Sequence, residues 1–237
     1  MSDHAVLDSN AHRDLRVRAG ASAALGDAVM ACIAVPSEFR RLQNTFPILF
    51  RRDLESGQFS AIALLGFENG ENLYLTEGKW DAGYRPLALS IQPFLVGRGE
   101  GEAQVHVDMG HPRIAAPGDE GLRAFDDDGR PTPYLERVIS DLDELDQGYR
   151  TSNGFFAALE RYELLEPFSF DVELRDGSSH RLIGYHLIDE EKLRALEPGA
   201  IAELHSSGHL MPIFMALASL SNLALLVERK NARIGHG

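Results

Sequence analysis

The sequence is short of several things, and each shortage removes a class of function. One cysteine, Cys32, is present, so no intrachain disulfide forms and zinc motifs built on cysteine pairs are excluded. Cys32 sits in the apolar run Ala28–Val35, where a small thiol reads as a buried hydrophobe rather than a nucleophile. Basic residues are also scarce. With 23 basic against 36 acidic side chains the formal net charge is -13, which favours solubility and repels nucleic acid. Long uncharged runs are nearly missing. The exception is Leu210–Val227, which reaches the length of a short membrane span yet carries Pro212, Ser219, Ser221 and Asn222. That polar load points to a buried or dimer-forming helix and away from an integral span.

What is present suits a soluble globular chain. The 237 residues are 44% hydrophobic, enough to bury a core without staples. Arg13, Arg16 and Arg18 precede the fairly apolar stretch Ala21–Val35, loosely in the manner of a secretory signal. The basic residues begin late and Asp27 interrupts the stretch. The expectation is therefore a flexible polar leader over residues 1–25, a single domain over 26–237, and a cytoplasmic location.

Local pattern predicts an α+β fold, with an antiparallel sheet in the first half and a β-hairpin plus several helices in the second. Strands are expected at Ala28–Val35, Ile48–Arg51, Phe59–Phe67 and Ala103–Asp108, with a helix start at Pro36-Ser37-Glu38. Asn69-Gly70 predicts a hairpin between Ala61–Phe67 and Asn72–Leu75. Helical periodicity appears in Thr132–Leu145 and again in Asn153–Leu164. A second hairpin is expected about Asp176-Gly177, between Phe168–Leu174 and Arg181–Ile188. Asp189 reads as a helix cap, and further helices are expected near Gly199–His205 and His209–Arg229.

Several short motifs bear chemistry. In His106-Val107-Asp108 a strand places His106 and Asp108 on one face, and a third ligand from His180, His186, His205 or His209 would complete an iron-oxygenase triad. The competing reading is a polar pair at a sheet edge, with Asp108 capping the Met109-Gly110 turn. His205 and His209 have helical spacing, but Gly208 between them breaks a helix. His111 reads as a solvent-exposed loop residue. Gly97-Arg98-Gly99-Glu100-Gly101 lacks the lysine of a phosphate loop and reads as a flexible connection. Asp126-Asp127-Asp128-Gly129 is turn chemistry rather than a calcium loop. Trp80, Tyr84 and Phe94, with Arg85, form an aromatic segment with one cation, suited to a small organic anion or a peptide terminus; the competing and favoured reading is core packing against the sheet.

Phe46-Pro47-Ile48-Leu49-Phe50, Ala63-Leu64-Leu65-Gly66-Phe67 and Gly70-Glu71-Asn72-Leu73-Tyr74-Leu75 together resemble the bacterial SapC family. The resemblance continues through Trp80, Tyr84-Arg85-Pro86 and Pro93-Phe94 to Leu164-Leu165-Glu166-Pro167-Phe168. It runs on to Ile188-Asp189-Glu190-Glu191-Lys192-Leu193 and Ser219-Leu220-Ser221-Asn222-Leu223, covering roughly residues 28–230. It implies an association with surface layers or with nutrient uptake and the modification of a captured molecule, and it assigns no catalytic residue. The resulting expectation is an accessory or binding protein without a cofactor, taking a protein partner or small organic ligand at Trp80, Tyr84, Arg85 and Phe94. A homodimer through Leu210–Val227 is expected alongside. The alternatives are an Fe(II)-dependent oxygenase using His106 and Asp108, and a surface-layer component.

Overall fold

A computed structural model describes residues 3–98 and 103–235. In chain order the strands are β1 (His4–Val6), β2 (Arg16–Val17), β3 (Ala31–Ala34), β4 (Ile48–Arg52), β5 (Phe59–Leu64), β6 (Leu75–Thr76), β7 (Lys79–Trp80), β8 (Phe94–Arg98), β9 (Ala103–Asp108), β10 (Leu122–Arg123), β11 (Leu165–Glu173) and β12 (Ser179–Ile188). The helices are α1 (Phe39–Leu42), α2 (Leu87–Ser90), α3 (Pro133–Arg161), α4 (Glu190–Arg194), α5 (Pro198–Ser206), α6 (Leu210–Ser219) and α7 (Asn222–Ile234). Antiparallel sheets and segregated helices make the chain α+β.

The chain forms two compact units, each discontinuous in sequence, rather than one domain behind a leader. Unit 1 comprises Met1–Ala28, Leu75–Asp81 and Leu87–Gln147, and unit 2 comprises Val29–Tyr74, Ala82–Pro86 and Gly148–Gly237.

Unit 1 holds a three-stranded sheet of order β1-β9-β8 and the small pairs β10-β2 and β6-β7. Its core gathers Leu15, Val17, Phe94, Val107, Phe125 and Leu135. The expectation of a flexible leader over residues 1–25 is therefore corrected. His4–Val6 pairs with His106–Asp108, and Leu15, Val17 and Ala21 are buried. Alternation in Leu15-Arg16-Val17 lets a two-residue strand point both apolar side chains inward. The arginine cluster is not a solvated tail either. Arg13 donates to the Asp127 carbonyl, Arg16 to the Gly121 carbonyl at 3.3 Å, and Arg18 pairs with Asp119 at 2.8 Å. Asp27, which interrupts the apolar stretch, is buried with Arg113 in a two-pronged ion pair.

Unit 2 is built on a five-stranded antiparallel sheet of order β11-β12-β4-β5-β3. The β11–β12 hairpin turns at Asp176-Gly177, as expected, with Gly177 at a φ of 83°. Phe39, Phe50 and Phe155 meet edge-on or tilted on one face, with centroids 6.0–6.4 Å apart. Burial of such rings stabilises by roughly 1.5–3 kcal/mol each. The Asp189 side chain accepts the Lys192 N–H at 2.9 Å and so caps α4.

Two local expectations are revised. Asn69-Gly70 does form a turn, but no ladder follows it. Leu75 pairs instead with Trp80, so the nearby two-stranded hairpin closes at Glu77-Gly78. The two predicted helices over 132–145 and 153–164 are one helix of 29 residues. Gly148 lies inside it because the helix runs hard against Val35 and Ser37. A Cβ at Gly148 would stand 2.6 Å from Val35 Cγ2 and 2.7 Å from Ser37 Oγ.

The apolar C-terminal run becomes α6 and α7, meeting at Leu220-Ser221. By length and composition Leu210–Ile234 is apolar enough to cross a membrane, its most apolar 18-residue stretch having a mean hydropathy of 2.0. Its polar residues are used within unit 2. Ser219 Oγ accepts the Ile48 N–H at 2.9 Å and donates to the Ala216 carbonyl at 2.6 Å. Asn222 Nδ2 donates to the Gln43 carbonyl at 2.8 Å. The helix junction is thus fastened to the loop between α1 and β4.

Candidate functional site

The segment singled out between Trp80 and Phe94 divides between the units. Trp80 (half-buried, opposite Leu75) and Phe94 belong to unit 1. Phe94 is fully buried, 6.4 Å from the Tyr134 ring, and packs the core instead of lining an open pocket. The reason is register: Phe94 opens β8 opposite Val107, which is equally buried. Tyr84 and Arg85 belong to unit 2 and are half-buried. The Tyr84 hydroxyl donates to Glu38 Oε1 at 2.7 Å, and the Arg41 guanidinium stands 5.1 Å over its ring. Glu38 is completely enclosed. Burial first, and the Glu38 charge second, push the Cys32 thiol well up. Cys32 thus behaves as a hydrophobe.

His106 and Asp108 do share one face of β9, opposite Val6 and His4 of β1. Asp108 Oδ1 accepts the Gly110 N–H at 3.0 Å and the Asp3 N–H at 3.2 Å, the turn-capping role. The His106 ring lies across Gly97 of β8, filling the space that a side chain there would occupy. Among the described residues no three His, Cys, Asp or Glu side chains are grouped to hold a metal. His180, His186, His205 and His209 all belong to unit 2, whereas His106 and Asp108 belong to unit 1.

The remaining motifs resolve as follows. Asp126 Oδ1 accepts the N–H groups of Asp128 and Arg130 at 2.9 and 2.8 Å, so the acidic run is a turn. Of the glycine-rich connection, Gly99, Glu100 and Gly101 lie outside the described residues. His111 is half-buried, not a solvent-exposed loop residue. Its Nδ1 accepts the Arg113 N–H at 3.1 Å, and burial, reinforced by the Arg113 charge, lowers its pKa.

A cleft centres on His209, in unit 2. Its construction starts at Gly208, whose φ of 75° ends α5 in the left-handed conformation that glycine favours. The next residue folds back, His209 N–H to Leu204 carbonyl at 2.8 Å, and α6 starts in a new direction. This sets the His209 ring edge-on to Phe155, with centroids 5.7 Å apart. Two adjoining cavities share His209 and Ser207. The larger, about 370 Å³, is lined by Ser37, Arg40, Phe155, Met211, Pro212 and Met215, among others. The smaller, about 240 Å³, runs along Gly154, Ala157 and Ala158 of α3 to Arg161 and Glu203.

The polar groups differ in availability. Arg161 Nη1 donates to Glu203 Oε1 at 2.6 Å, and the Tyr162 hydroxyl donates to Glu203 Oε2 at 2.8 Å, so these three satisfy one another. The His209 imidazole and the Arg40 guanidinium have no hydrogen-bond or ion-pair partner among the described residues. Burial lowers the His209 pKa, which favours the neutral ring with one donor and one acceptor nitrogen. The cleft therefore offers a guanidinium, an imidazole and hydroxyls together with thioether, proline and phenyl surface. Such a set suits an amphipathic anion. Sequence reading reached His209 through its spacing from His205 and as a candidate third metal ligand, never as part of a cleft. Arg40 and the two methionines carried no signal, because the cleft draws on three segments far apart in the chain.

No curated protein and no solved structure matches the chain. A family model described as SapC does match, over residues 7–226. The match takes in β2 through the first turn of α7, and with it every wall of the His209 cleft. The chain therefore belongs to the SapC family.

Proposed function

We propose that this SapC-family chain is an accessory binding protein that takes a small organic anion in the His209 cleft, in support of uptake or modification of a captured molecule. The observation that carries this reading is the pairing of two unpartnered polar groups, Arg40 and His209, with the apolar wall of Phe155, Met211, Pro212 and Met215. An anion there gains a charge-assisted hydrogen bond from the guanidinium while its hydrocarbon part leaves water. The test is a titration with benzoate and butyrate, followed by backbone and methionine-methyl NMR. Shifts confined to Met211, Met215 and the His209 segment are expected. Arg40→Gln should weaken binding roughly ten-fold, the effect of about 1.4 kcal/mol. Unchanged affinity in folded Arg40→Gln, or no shift with either anion, refutes the site.

A second reading concerns partners and rests on a separate observation. Met211, Phe214 and Leu225 are 52–53% exposed on the α6–α7 run. Their spacing, with Ala218 and Ser221 between, follows the three-and-four rhythm of a helix seam. Self-association through Leu210–Val227 is proposed on that basis. Sedimentation equilibrium tests it: Phe214→Glu should yield monomer where the parent chain is dimeric, and a monomeric parent chain at high concentration ends the proposal.

A further inference from the structure

We propose a second binding site in unit 2, at the open end of β3, that takes a neutral, hydroxyl-rich ligand the size of a single sugar ring. The site follows from unequal strand lengths. β3 pairs with β5 from Ala31 opposite Leu64 to Ala34 opposite Ala61, and there Val35 leads into the turn at Pro36. β5 extends further, to Ser60 and Phe59, and these two pair with Arg51 and Arg52 of β4. The sheet thus has a notch beside Ser60 and Phe59, and α3 closes it from one side. The resulting cavity measures about 260 Å³. That is just below the usual range for drug-sized ligands and fits a smaller molecule.

The walls are held in place from behind. The Phe59 ring is set by the Arg52 guanidinium, 5.5 Å from its centroid, and by the His186 ring edge-on at 5.0 Å. Arg52 is itself fixed, its Nε donating to the Gly57 carbonyl at 2.9 Å. Phe156 meets Phe50 at 85° and Phe155 at 62°. Tyr149, 61% exposed, stands at the rim. Flat aromatic surfaces of this kind attract the C–H faces of a pyranose ring by dispersion.

The polar lining selects against charge of one sign and for groups that both donate and accept. Among the described residues no basic side chain lines the cavity. Its ionised group is Asp53, held below the usual carboxylate range first by the Ser56 N–H and then by the Ser56 hydroxyl. Those bonds, at 2.7 and 2.8 Å, fall on Oδ1, so Oδ2 remains available as an acceptor. The Gln58 and Asn153 carboxamides and the Tyr149 hydroxyl have no side-chain hydrogen bond among the described residues. Each carboxamide supplies two donors and an acceptor. An anion would meet Asp53 in the lining, while Arg51, whose charge acts on Asp53, lies outside it. Vicinal hydroxyls can satisfy amides and carboxylate at once.

Saturation-transfer NMR on the intact chain tests the site, with D-glucose, D-galactose and N-acetyl-D-glucosamine as neutral probes and gluconate as the charged control. At least one neutral sugar should receive saturation and shift the Gln58 and Asn153 side-chain amides, while gluconate should not. Asn153→Ala and Tyr149→Ala change exposed positions, and circular dichroism confirms their folding. Each should weaken sugar binding roughly ten-fold, the loss of one good contact. Adding benzoate should leave sugar binding unchanged, since the anion cleft has a separate lining. The proposal is overturned if no neutral sugar binds, if gluconate binds equally well, or if both folded variants bind as tightly as the parent chain.

Discussion

Arg113 Nη2 donates to both carboxylate oxygens of Asp27, at 2.8 and 2.7 Å, with each side chain at most 5% exposed. The same guanidinium donates through Nη1 to the carbonyls of Arg18 and Gly20, at 3.2 and 3.1 Å. Asp27 in turn accepts the Ser22 N–H at 2.9 Å. One side chain from the loop after β9 therefore anchors the whole stretch from Arg18 to Asp27. Arg113→Leu strands a buried carboxylate and should cost about 3–5 kcal/mol. Urea unfolding of the full chain measures this. Asp27→Asn/Arg113→Leu should recover part of the loss, because the stranded charge is gone. A single variant as stable as the parent would show the pair to be dispensable.

Ser219→Ala removes the acceptor for the Ile48 N–H while leaving the space nearly unchanged. A buried donor without a partner costs about 1–3 kcal/mol. Thermal or urea unfolding should show a loss in that range. Ser219→Thr keeps the hydroxyl but adds a methyl in a fully buried place, so it tests packing separately.

Gly148→Ala would stabilise an isolated helix by about 1 kcal/mol. Here the added methyl meets Val35 and Ser37 well inside contact distance. The variant should therefore be destabilised despite its better helix propensity. Hydrogen exchange at the β3 amides should rise at the same time, because Val35 must shift.

Stability should fall with acidification in a defined window. Burial holds His209 and His186 below the ordinary imidazole value of 6.5, and the Arg52 charge adds to the effect at His186. Both rings stay neutral in the folded chain while the unfolded chain takes up protons near pH 6.5. Their contribution is complete above that value and is lost as pH falls from it towards the lower folded values. His209→Gln should flatten part of the slope in a plot of unfolding free energy against pH. A slope unchanged in that variant would place the acid sensitivity elsewhere.

The parts of the fold that were legible in sequence are those fixed within a few residues. Ala103–Asp108 alternates and is a strand with those same bounds. Asp176-Gly177 forces its turn whatever surrounds it, and Asp189 finds its donor three residues on. What was missed depends on distant partners. Gly148 looks like a break until Val35 is known to lie against it. Residues 4–17 look like a polar tail until β9 and β10 are there to receive them. Asn69-Gly70 marks a turn, but the strand expected after it is drawn to Lys79-Trp80. The site follows the same rule. Phe94 reads as core before pocket, and the ladder with Val107 decides for the core. Arg40, Phe155 and His209 share no local pattern, so their meeting is a property of the packed α1, α3, α5 and α6.

The discontinuity of both units imposes an order on biosynthesis. Strands β3, β4 and β5 leave the ribosome early, yet β4 must wait for β12 before its second edge is paired. Residues of unit 1 emerge in that interval, through Gln147. The nascent chain thus carries a three-stranded, half-finished sheet until β12 emerges, with Ile48 not yet met by Ser219 of α6. A holdase that binds apolar strand edges is what would keep that intermediate from aggregating.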